Sequence, residues 1–181
     1  MPRPRKDEPS KLEPILEIAQ RLIQQRGYNG FSFREIASEV GCTSASIHYH
    51  FPTKGDLARA VAARYREAFA SRLNDLGAVP ETSERLYGFA RLFLETLEND
   101  RRLCLCGILA SESESLPPEV LAEAEAFFAE TEAWLSKTLG DARPAKSFLA
   151  AMEGALLVAR ARNRPQEIDE VAAHLVPLIT T

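Results

Sequence analysis

Residues 32–57 read SFREIASEVGCTSASIHYHFPTKGDL, which predicts two short helices joined by a tight turn. Ser32 can cap the free amide groups at the start of the first helix, and Glu35 can reach back to complete a capping box. Gly41 stands where a glycine in the left-handed conformation would end that helix. Thr43 can then cap the second helix. A short helix, a glycine turn and a second helix form a helix-turn-helix, which places its second helix in the major groove of DNA.

The second helix, predicted over 44–51, has two faces. Its spacing can turn Ala45, Ile47 and Phe51 toward a core, and Pro52 ends the helix. The side chains that remain available on the outer face are Ser44, Ser46, His48, Tyr49 and His50. This face is small, polar and aromatic, as suits a helix that reads DNA.

These residues resemble the signature of the tetracycline-repressor (TetR) family. The resemblance is carried by the runs 33–37 and 47–57 with Gly41 between them, and it extends upstream through 15–27, Gly30 and Phe31. It covers about the first third of the chain, with many positions in fixed register. One departure is His48, where the family commonly has tyrosine.

Apolar residues recur at helical spacing along the whole chain, and no strand pattern competes with them. We expect an all-α fold. A first helix should end near Gly27, and the helices after the helix-turn-helix should span about 55–76, 82–99, 104–113, 117–139, 145–162 and 168–178. The resemblance implies an N-terminal three-helix helix-turn-helix DNA-binding domain followed by a C-terminal helical ligand-binding and dimerisation domain. The predicted bounds are a basic tail over 1–10, the DNA-binding domain over 11–57 with its motif at 32–51, and the C-terminal domain over 58–181.

Charge is divided unevenly along the chain. The 181 residues carry a net charge of −4. Residues 1–66 hold 11 Lys/Arg against 7 Asp/Glu, a net of +4, whereas residues 67–181 hold 11 against 19, a net of −8. A positive module on an acidic body suits a nucleic-acid binder, although chance clustering explains it equally well.

The sequence carries no signal for a membrane span or for secretion. No apolar run reaches the length of about eighteen residues that predicts a membrane span, and the first residues, MPRPRKDEPSK, lack the apolar centre of a signal peptide. Three cysteines, an odd number, argue against a disulfide framework and suit a reducing compartment. We therefore expect a cytoplasmic protein with no membrane partner.

Phosphate contacts are expected from cations and hydroxyl groups around the motif. Arg34 and Lys54 are natural phosphate clamps, which add affinity and salt dependence but little sequence information. The hydroxyl groups of Ser32, Thr43 and Tyr49 can donate to phosphate oxygens. The basic tail, with Arg3, Arg5 and Lys6, can lie along the adjacent backbone or minor groove, and a solvated tail is equally consistent.

Base contacts are expected from the outer face of the second helix. Ser44, Ser46 and His48 are the expected groove readers, and Ala45 is small enough to approach a thymine methyl group. Because no arginine or glutamine lies on this face, we expect DNA shape to share the burden of specificity. His50 belongs to the same surface, although a packed or backbone-bonded histidine is equally consistent.

Two C-terminal helices carry apolar faces that fit a second copy of the chain. In the resembled family the last two major helices of each subunit form a four-helix dimer interface. The candidates here are Phe148, Leu149, Met152, Ala155, Leu156, Ala159, Val171, Leu175 and Leu178. The same residues could complete a monomer core, and periodicity alone does not separate the two. A symmetric dimer would present two reading helices about 34–36 Å apart and read a pseudo-palindrome.

The C-terminal half is also rich in aromatic residues with a few polar groups among them. An apolar cavity with sparse polar groups is how small ligands are usually held, and the resemblance implies an effector site between these helices. The candidate pocket residues are Phe89, Phe93, Cys106, Glu112, Phe127, Phe128 and Trp134. An ordinary helical core explains each of them more simply.

Metal, cofactor and catalytic sites are not expected. Cys104 and Cys106 stand at i and i+2, so they point apart on a helix, and neither a second pair nor a nearby histidine completes a metal site. Their simplest role is as buried small apolar residues, and the alternative is a redox or electrophile sensor with a lowered thiol pKa. The sequence has no GxSxG, glycine-rich phosphate loop or HExxH motif, so we do not expect an enzyme.

The sequence therefore predicts a sequence-specific DNA-binding transcriptional regulator. We expect a dimeric repressor that an unidentified small-molecule effector releases from its operator. A regulator without small-molecule control, constitutive or activating, shares the whole N-terminal argument and stays open, as does the less favoured thiol sensor.

Overall fold

The computed structural model describes residues 11–180, and all regular structure in that part of the chain is helical. The α-helices are α1 Leu12–Arg26, α2 Phe33–Val40, α3 Ser44–His50, α4 Lys54–Gly77, α5 Thr82–Glu98, α6 Leu105–Ser111, α7 Pro118–Leu139, α8 Ala142–Arg162 and α9 Glu167–Ile179. Short 3-10 helices lie at Tyr28–Gly30 and Ser113–Ser115. The all-α prediction is confirmed. The basic tail, with Arg3, Arg5 and Lys6, lies outside the described residues.

The predicted helix boundaries agree closely with the structure except at the start of α8. We expected a turn through Pro144 and a helix from Ala145. Instead the Asp141 carboxylate accepts a hydrogen bond of 2.8 Å from the amide of Arg143, and α8 begins at Ala142. Pro144 falls in the first turn of the helix, where a missing N–H costs nothing.

Local capping explains the helix-turn-helix. The Ser32 hydroxyl accepts from the amide of Glu35 at 3.2 Å, and Gly41 ends α2 with a φ of 71° in the left-handed region. The reciprocal half of the predicted capping box is replaced, because the Glu35 carboxylate accepts from Arg26 at 2.7 Å. The Thr43 hydroxyl then accepts from the amide of Ser46 and begins α3.

A complete capping box, which the sequence analysis missed, begins α4. The amide of Thr53 donates to the Asp56 carboxylate at 2.9 Å, and the amide of Asp56 donates to the Thr53 hydroxyl at 3.0 Å. The hydrogen bonds from Thr53 lower the pKa of the Asp56 carboxyl. This box fixes the angle at which the chain leaves α3, and so the direction of the reading helix relative to α4.

Helices α1, α2 and α3 pack together around Ile15, Leu22, Ile36 and Ile47, which are fully or almost fully buried. Helix α4 runs from this unit into the second half of the molecule, where it packs against α7. There α7 packs against α8, and α9 packs against α5 and α8. Helix α6 contacts α1, α4 and α7, so it touches both halves. Within residues 11–180, no helix is long and apolar enough to cross a membrane.

Candidate DNA-binding surface and ligand cavity

The outer face of α3 is open to solvent. Tyr49 is 84% exposed, and Ser46, His48 and His50 are also exposed, whereas Ile47 is fully buried. Ser44 is half-buried. Ala45 is exposed rather than turned inward, because α3 is only two turns long and Ile47 fills the core side. The exposed position of Ala45 fits its other predicted role, contact with a thymine methyl group.

Two of the predicted reading side chains already have partners within the protein. The hydroxyl groups of Thr43 and Ser46 lie 2.9 Å apart and share a hydrogen bond. The Nδ1 atom of His48 lies 3.2 Å from the carbonyl oxygen of Pro52, and the ring packs against Phe33 at 4.6 Å between centroids. If Nδ1 donates to that carbonyl, the neutral imidazole keeps Nε2 as its acceptor. The histidine is therefore held in one orientation on the reading face.

The two predicted phosphate clamps lie in different surroundings. Arg34 is exposed on α2. Lys54 is half-buried, and its Nζ atom lies 4.3 Å from the ring centroid of Phe31 and 4.9 Å from that of Tyr28. Burial lowers the pKa of Lys54, and the nearby Glu112 carboxylate opposes that shift. Lys54 thus lies at the junction of the two halves.

Glu112, predicted in the pocket, also lies at this junction. Its Oε2 atom accepts from Asn29 at 3.3 Å, and a Cβ placed on Gly27 would overlap its carboxylate. The cause is the shortness of α6, which ends at Ser111 and so carries Glu112 toward the end of α1. Further contacts reinforce this junction, since Gln24 donates to the carbonyl of Leu103 at 2.8 Å.

A cavity of about 450 Å³ lies between α6, α7 and α8. Its apolar lining includes Leu103, Ile108, Phe128, Leu149 and Leu156, and its polar lining comprises Glu132, Lys146 and Glu153. Its volume falls within the range of about 300–1,000 Å³ found for small-molecule sites, and its lining is mostly apolar. A second cleft of about 470 Å³ between α1, α4 and α5 is more polar, and its Arg64 and Arg72 are paired with Glu13 and Glu95.

The predicted pocket residues mostly lie elsewhere. Phe128 lines the cavity, but Phe89, Phe93, Phe127 and Cys106 are buried in the core between the helices. Trp134 stacks on Phe89 and borders a separate small cleft. Phe89, Phe93 and Phe127 fill space and contact other aromatic rings, so they do not border the cavity. The simpler explanation, a helical core, describes them correctly.

Glu153 is one of the cavity residues that the sequence analysis did not name, and the most buried of the charged ones. It lies on α8 between Leu149 and Leu156, one turn from each, so its carboxyl group interrupts the inward apolar face of the helix. Burial raises the pKa of Glu153 to about 7, and a hydrogen bond with Cys104 opposes the shift. A lone acidic residue on an apolar stripe was the available signal.

The thiol groups beside this carboxylate are buried. Burial and the charge of Glu153 raise the pKa of Cys104 well above that of a free thiol, and the same two causes raise the pKa of Cys106. Both groups therefore stay protonated near neutral pH. A redox or electrophile sensor needs the opposite, an accessible thiol with a lowered pKa.

The predicted dimer residues divide between the two last helices. On α8 they form the inward face of the monomer and are buried: Phe148, Leu149, Met152, Ala155, Leu156 and Ala159. This placement corrects the α8 part of the prediction, because the helix turns its most apolar stripe to α5, α7 and α9. On α9, Val171 and Leu175 are half-buried and Leu178 is 65% exposed. The large apolar residues of α8 that stay exposed are Leu157, 56% exposed, and Val158, 43% exposed, and Leu157 also borders the cavity.

A short helix, a left-handed glycine turn and an exposed second helix on a buried three-helix core define a helix-turn-helix DNA-binding regulator. The family described as bacterial regulatory proteins, tetR family, matches residues 15–61. A TetR transcriptional regulator from Legionella pneumophila is 32% identical, with 97% of this chain and 100% of that chain covered and a TM-score of 0.90. The chain belongs to the TetR family of transcriptional regulators, and the family prediction is confirmed. Its relatives are regulators rather than enzymes.

Two further relatives are informative. The probable HTH-type transcriptional regulator YttP of Bacillus subtilis is 30% identical over 97 residues, which are 52% of this chain and 47% of YttP. The chain thus spans about half the length of that relative. A transcriptional regulator from Saccharomonospora viridis, solved in complex with choline, is 26% identical, with a TM-score of 0.76 and coverage of 93% of this chain and 94% of that chain.

Proposed function

We propose that the protein is a cytoplasmic, dimeric repressor that binds a pseudo-palindromic operator and is released from it by a small molecule in the α6–α8 cavity. The proposed domains are the tail 1–10, the DNA-binding domain 11–57 and the effector and dimerisation domain 58–181. The predicted DNA contacts on α2, α3 and Lys54 are part of this proposal.

The observation that carries effector control is the position of α6. Its N-terminal half, with the preceding Cys104, lines the cavity through Gly107 and Ile108, while the residue that follows its last turn, Glu112, accepts from Asn29 in the 3-10 helix after α1. The helix is only seven residues long, so both contacts move with one short rigid element. A ligand that shifts α6 would therefore act directly on the junction beside Lys54.

The energy required for such control is modest. Allosteric coupling between sites is typically about 1–3 kcal/mol. The ligand can supply it only through a difference in affinity for the DNA-bound and the released arrangement of α6. The Saccharomonospora viridis relative, which holds choline, supports small-molecule binding by this fold.

The exposed apolar residues support the dimer. Across the described residues the large hydrophobic side chains that remain exposed are Tyr49, Tyr87, Leu157, Val158 and Leu178. Tyr49 belongs to the proposed DNA surface, and three of the other four lie on α8 and α9. Leu157 also borders the α6–α8 cavity, so Val158 on α8 and Leu178 on α9 are the residues of this set assigned to a partner copy.

The first experiment is selection of DNA fragments by the purified protein at about 0.15 M salt, where nonspecific attraction to phosphates is reduced. Enrichment of one pseudo-palindrome supports a dimeric regulator and supplies the operator for the later assays. No enrichment by folded, ligand-free protein would overturn the repressor proposal.

A matched pair of variants tests the dimer surface. Leu178→Arg should shift the molar mass measured by light scattering from dimer toward monomer and weaken operator binding. Tyr87→Arg, which also replaces an exposed apolar residue but on α5, should leave the mass unchanged. A dimer that survives Leu178→Arg combined with Val158→Arg would place the interface elsewhere.

Regulation without a ligand is the remaining alternative. It shares the DNA surface and the dimer, and differs only in leaving the cavity empty of any effector. Addition of cavity-binding molecules to the operator complex separates the two, because only the effector-controlled repressor dissociates.

A further inference from the structure

The α6–α8 cavity contains a buried carboxyl group, that of Glu153, whose hydrogen bond with Cys104 leaves one of its two oxygens without a partner in the described chain. The Oε1 atom of Glu153 is inaccessible to solvent and has no hydrogen-bond partner among residues 11–180. Leaving such a group without a partner inside a protein is costly, so each case in a native structure calls for an explanation.

The neighbouring helix is shaped to accept this carboxylate. A Cβ placed on Gly107 of α6 would lie 2.6 Å from the Oε2 atom of Glu153, a distance that real Cβ atoms do not show. Any larger residue at position 107 would push the carboxylate out of place. Glycine thus makes the space in which Glu153 borders the cavity.

The charged and titratable groups around Glu153 supply no counter-charge. Tyr65 from α4 and the thiols of Cys104 and Cys106 from α6 are neutral near pH 7, since burial raises the pKa of all three. Among the described residues the one cation in the cavity lining is Lys146, which lies 3.6 Å from Glu132 and pairs with it at the cavity rim.

The hydrogen-bond donor that Glu153 lacks would therefore have to come from a bound ligand. Such a ligand must place a positive charge beside the Glu153 carboxylate and an apolar part against the cavity walls. These walls are formed by Leu103, Ile108, Phe128 and Leu149. A charge-assisted hydrogen bond in such an apolar site is stronger than a neutral one.

We propose that the cavity binds a lipophilic organic amine, whose ammonium group donates to Glu153 while its hydrocarbon body lies against α6, α7 and α8. The regulatory consequence rests on the proposed function, but the binding itself does not. The volume of about 450 Å³ is far larger than an ammonium ion needs, so affinity requires the apolar body as well as the charge.

The buried position of Glu153 predicts that protons are released when an amine binds. Because burial raises its pKa to about 7, part of the population is protonated at neutral pH, and an arriving ammonium group would favour the ionised form. Amine binding should therefore release a fraction of a proton per site near pH 7. Affinity should rise as the pH rises from 6 to 8, since the amine stays charged over that range. A neutral ligand should show neither effect.

The test uses 4-phenylbutylamine and its neutral counterpart 4-phenylbutan-1-ol as probes, with the full-length protein, no DNA and titration calorimetry at pH 7.5. The wild-type protein should bind the amine at least about tenfold more tightly than the alcohol. Glu153→Gln should abolish this preference, because it keeps the shape of the side chain and removes the charge. Glu132→Gln is the matched control, a carboxylate at the same cavity that already has Lys146 as its partner, and it should keep the preference.

Equal binding of the two probes by the wild type, no amine binding, or a preference that survives Glu153→Gln would overturn the inference. Loss of the preference in Glu132→Gln alone would move recognition to the rim and overturn it as well. Operator release is measured separately. An amine that binds through Glu153 and leaves the operator complex intact would contradict effector control while supporting the amine site.

Discussion

The helix-turn-helix and the α6–α8 cavity differ in what determines them. In the helix-turn-helix each turn is fixed by a neighbour in sequence: Ser32 caps α2, Gly41 ends it and Thr43 caps α3. The cavity has no such local signature. Its walls come from α6, α7 and α8, and its buried acidic residue, Glu153, meets residues more than forty positions earlier, Cys104 and Gly107.

This difference teaches which kind of site a single sequence discloses. Caps and left-handed glycines act over three or four residues, so their spacing is visible in the chain. A cavity is the space that packing leaves over, and no spacing rule states where that space falls. Changes in the two regions should accordingly behave differently.

The largest effect is expected where the pocket prediction and the structure disagree. Phe89 is fully buried and packs against Phe69, Phe93, Trp134 and Phe148. Phe89→Ala should lower the free energy of unfolding by about 3–5 kcal/mol, the usual cost of removing a buried aromatic ring. The measurement is urea unfolding followed by circular dichroism.

Phe128→Ala is the comparison within the same class of residue. Phe128 is half-buried and already borders the cavity, so its loss should cost less than half as much while it changes probe affinity. Equal destabilisation by the two variants would mean that the cavity wall is as tightly packed as the core.

The disagreement between the predicted and the observed pocket shows which features can be predicted from the sequence alone. Helix order, the helix-turn-helix and the family followed from periodicity and a fixed run of residues. The pocket residues could not be predicted in this way. Aromatic composition indicates apolar helices, but it does not show whether a ring fills the core or lines a cavity. The α8 dimer stripe failed for a related reason, since an apolar face at helical spacing fits a monomer core and a partner equally well. Exposed Leu157 and buried Leu156 are adjacent in sequence, and only packing separates them.

The second largest effect concerns pH. Glu153 has its pKa raised from 4.5 to about 7, so between these values the folded protein binds more protons than the unfolded chain. The free energy of unfolding should therefore fall as the pH rises from about 4.5 to about 7. The loss at pH 8 should be up to about 3 kcal/mol, since each pKa unit corresponds to about 1.4 kcal/mol.

Glu153→Gln should remove this contribution, so that the variant equals the wild type near pH 4 and exceeds it in stability at pH 8. Unfolding by urea across that range measures the difference. Glu132→Gln, which lies at the cavity rim, should run parallel to the wild type. A difference between Glu153→Gln and the wild type that does not change with pH would refute the raised pKa.

A smaller effect is expected from substitutions at two glycine turns, one in the helix-turn-helix and one in the C-terminal half. Gly41 and Gly140 both have φ near +70°, and a Cβ at either would meet nothing within 4 Å. Gly41→Ala and Gly140→Ala should each cost about 1–2 kcal/mol of stability, because only the left-handed backbone is penalised. Only Gly41→Ala should also weaken operator binding, measured by fluorescence anisotropy, since it alone sets the angle between α2 and α3. Equal loss of DNA affinity in both variants would mean that binding simply follows stability.

The smallest effect separates the two phosphate clamps. Lys54→Met keeps the apolar stem over Phe31 and Tyr28 and removes the charge. If Lys54 contacts a phosphate, the variant should bind all DNA sequences more weakly by the same factor, and the dependence of log affinity on log salt should fall by about one per subunit. Anisotropy titrations at several salt concentrations, with operator and random DNA, measure both quantities.

Ser46→Ala is the matched change on the reading helix, and it should alter the preferred sequence without altering the salt dependence. The position of Lys54 makes the outcome of its own variant informative in either direction. An unchanged salt slope together with lower stability would mean that the ammonium group stays over the aromatic rings in the DNA complex. Lys54 would then hold the junction with Glu112 together, and Arg34, exposed on α2, would be left as the phosphate clamp of the helix-turn-helix.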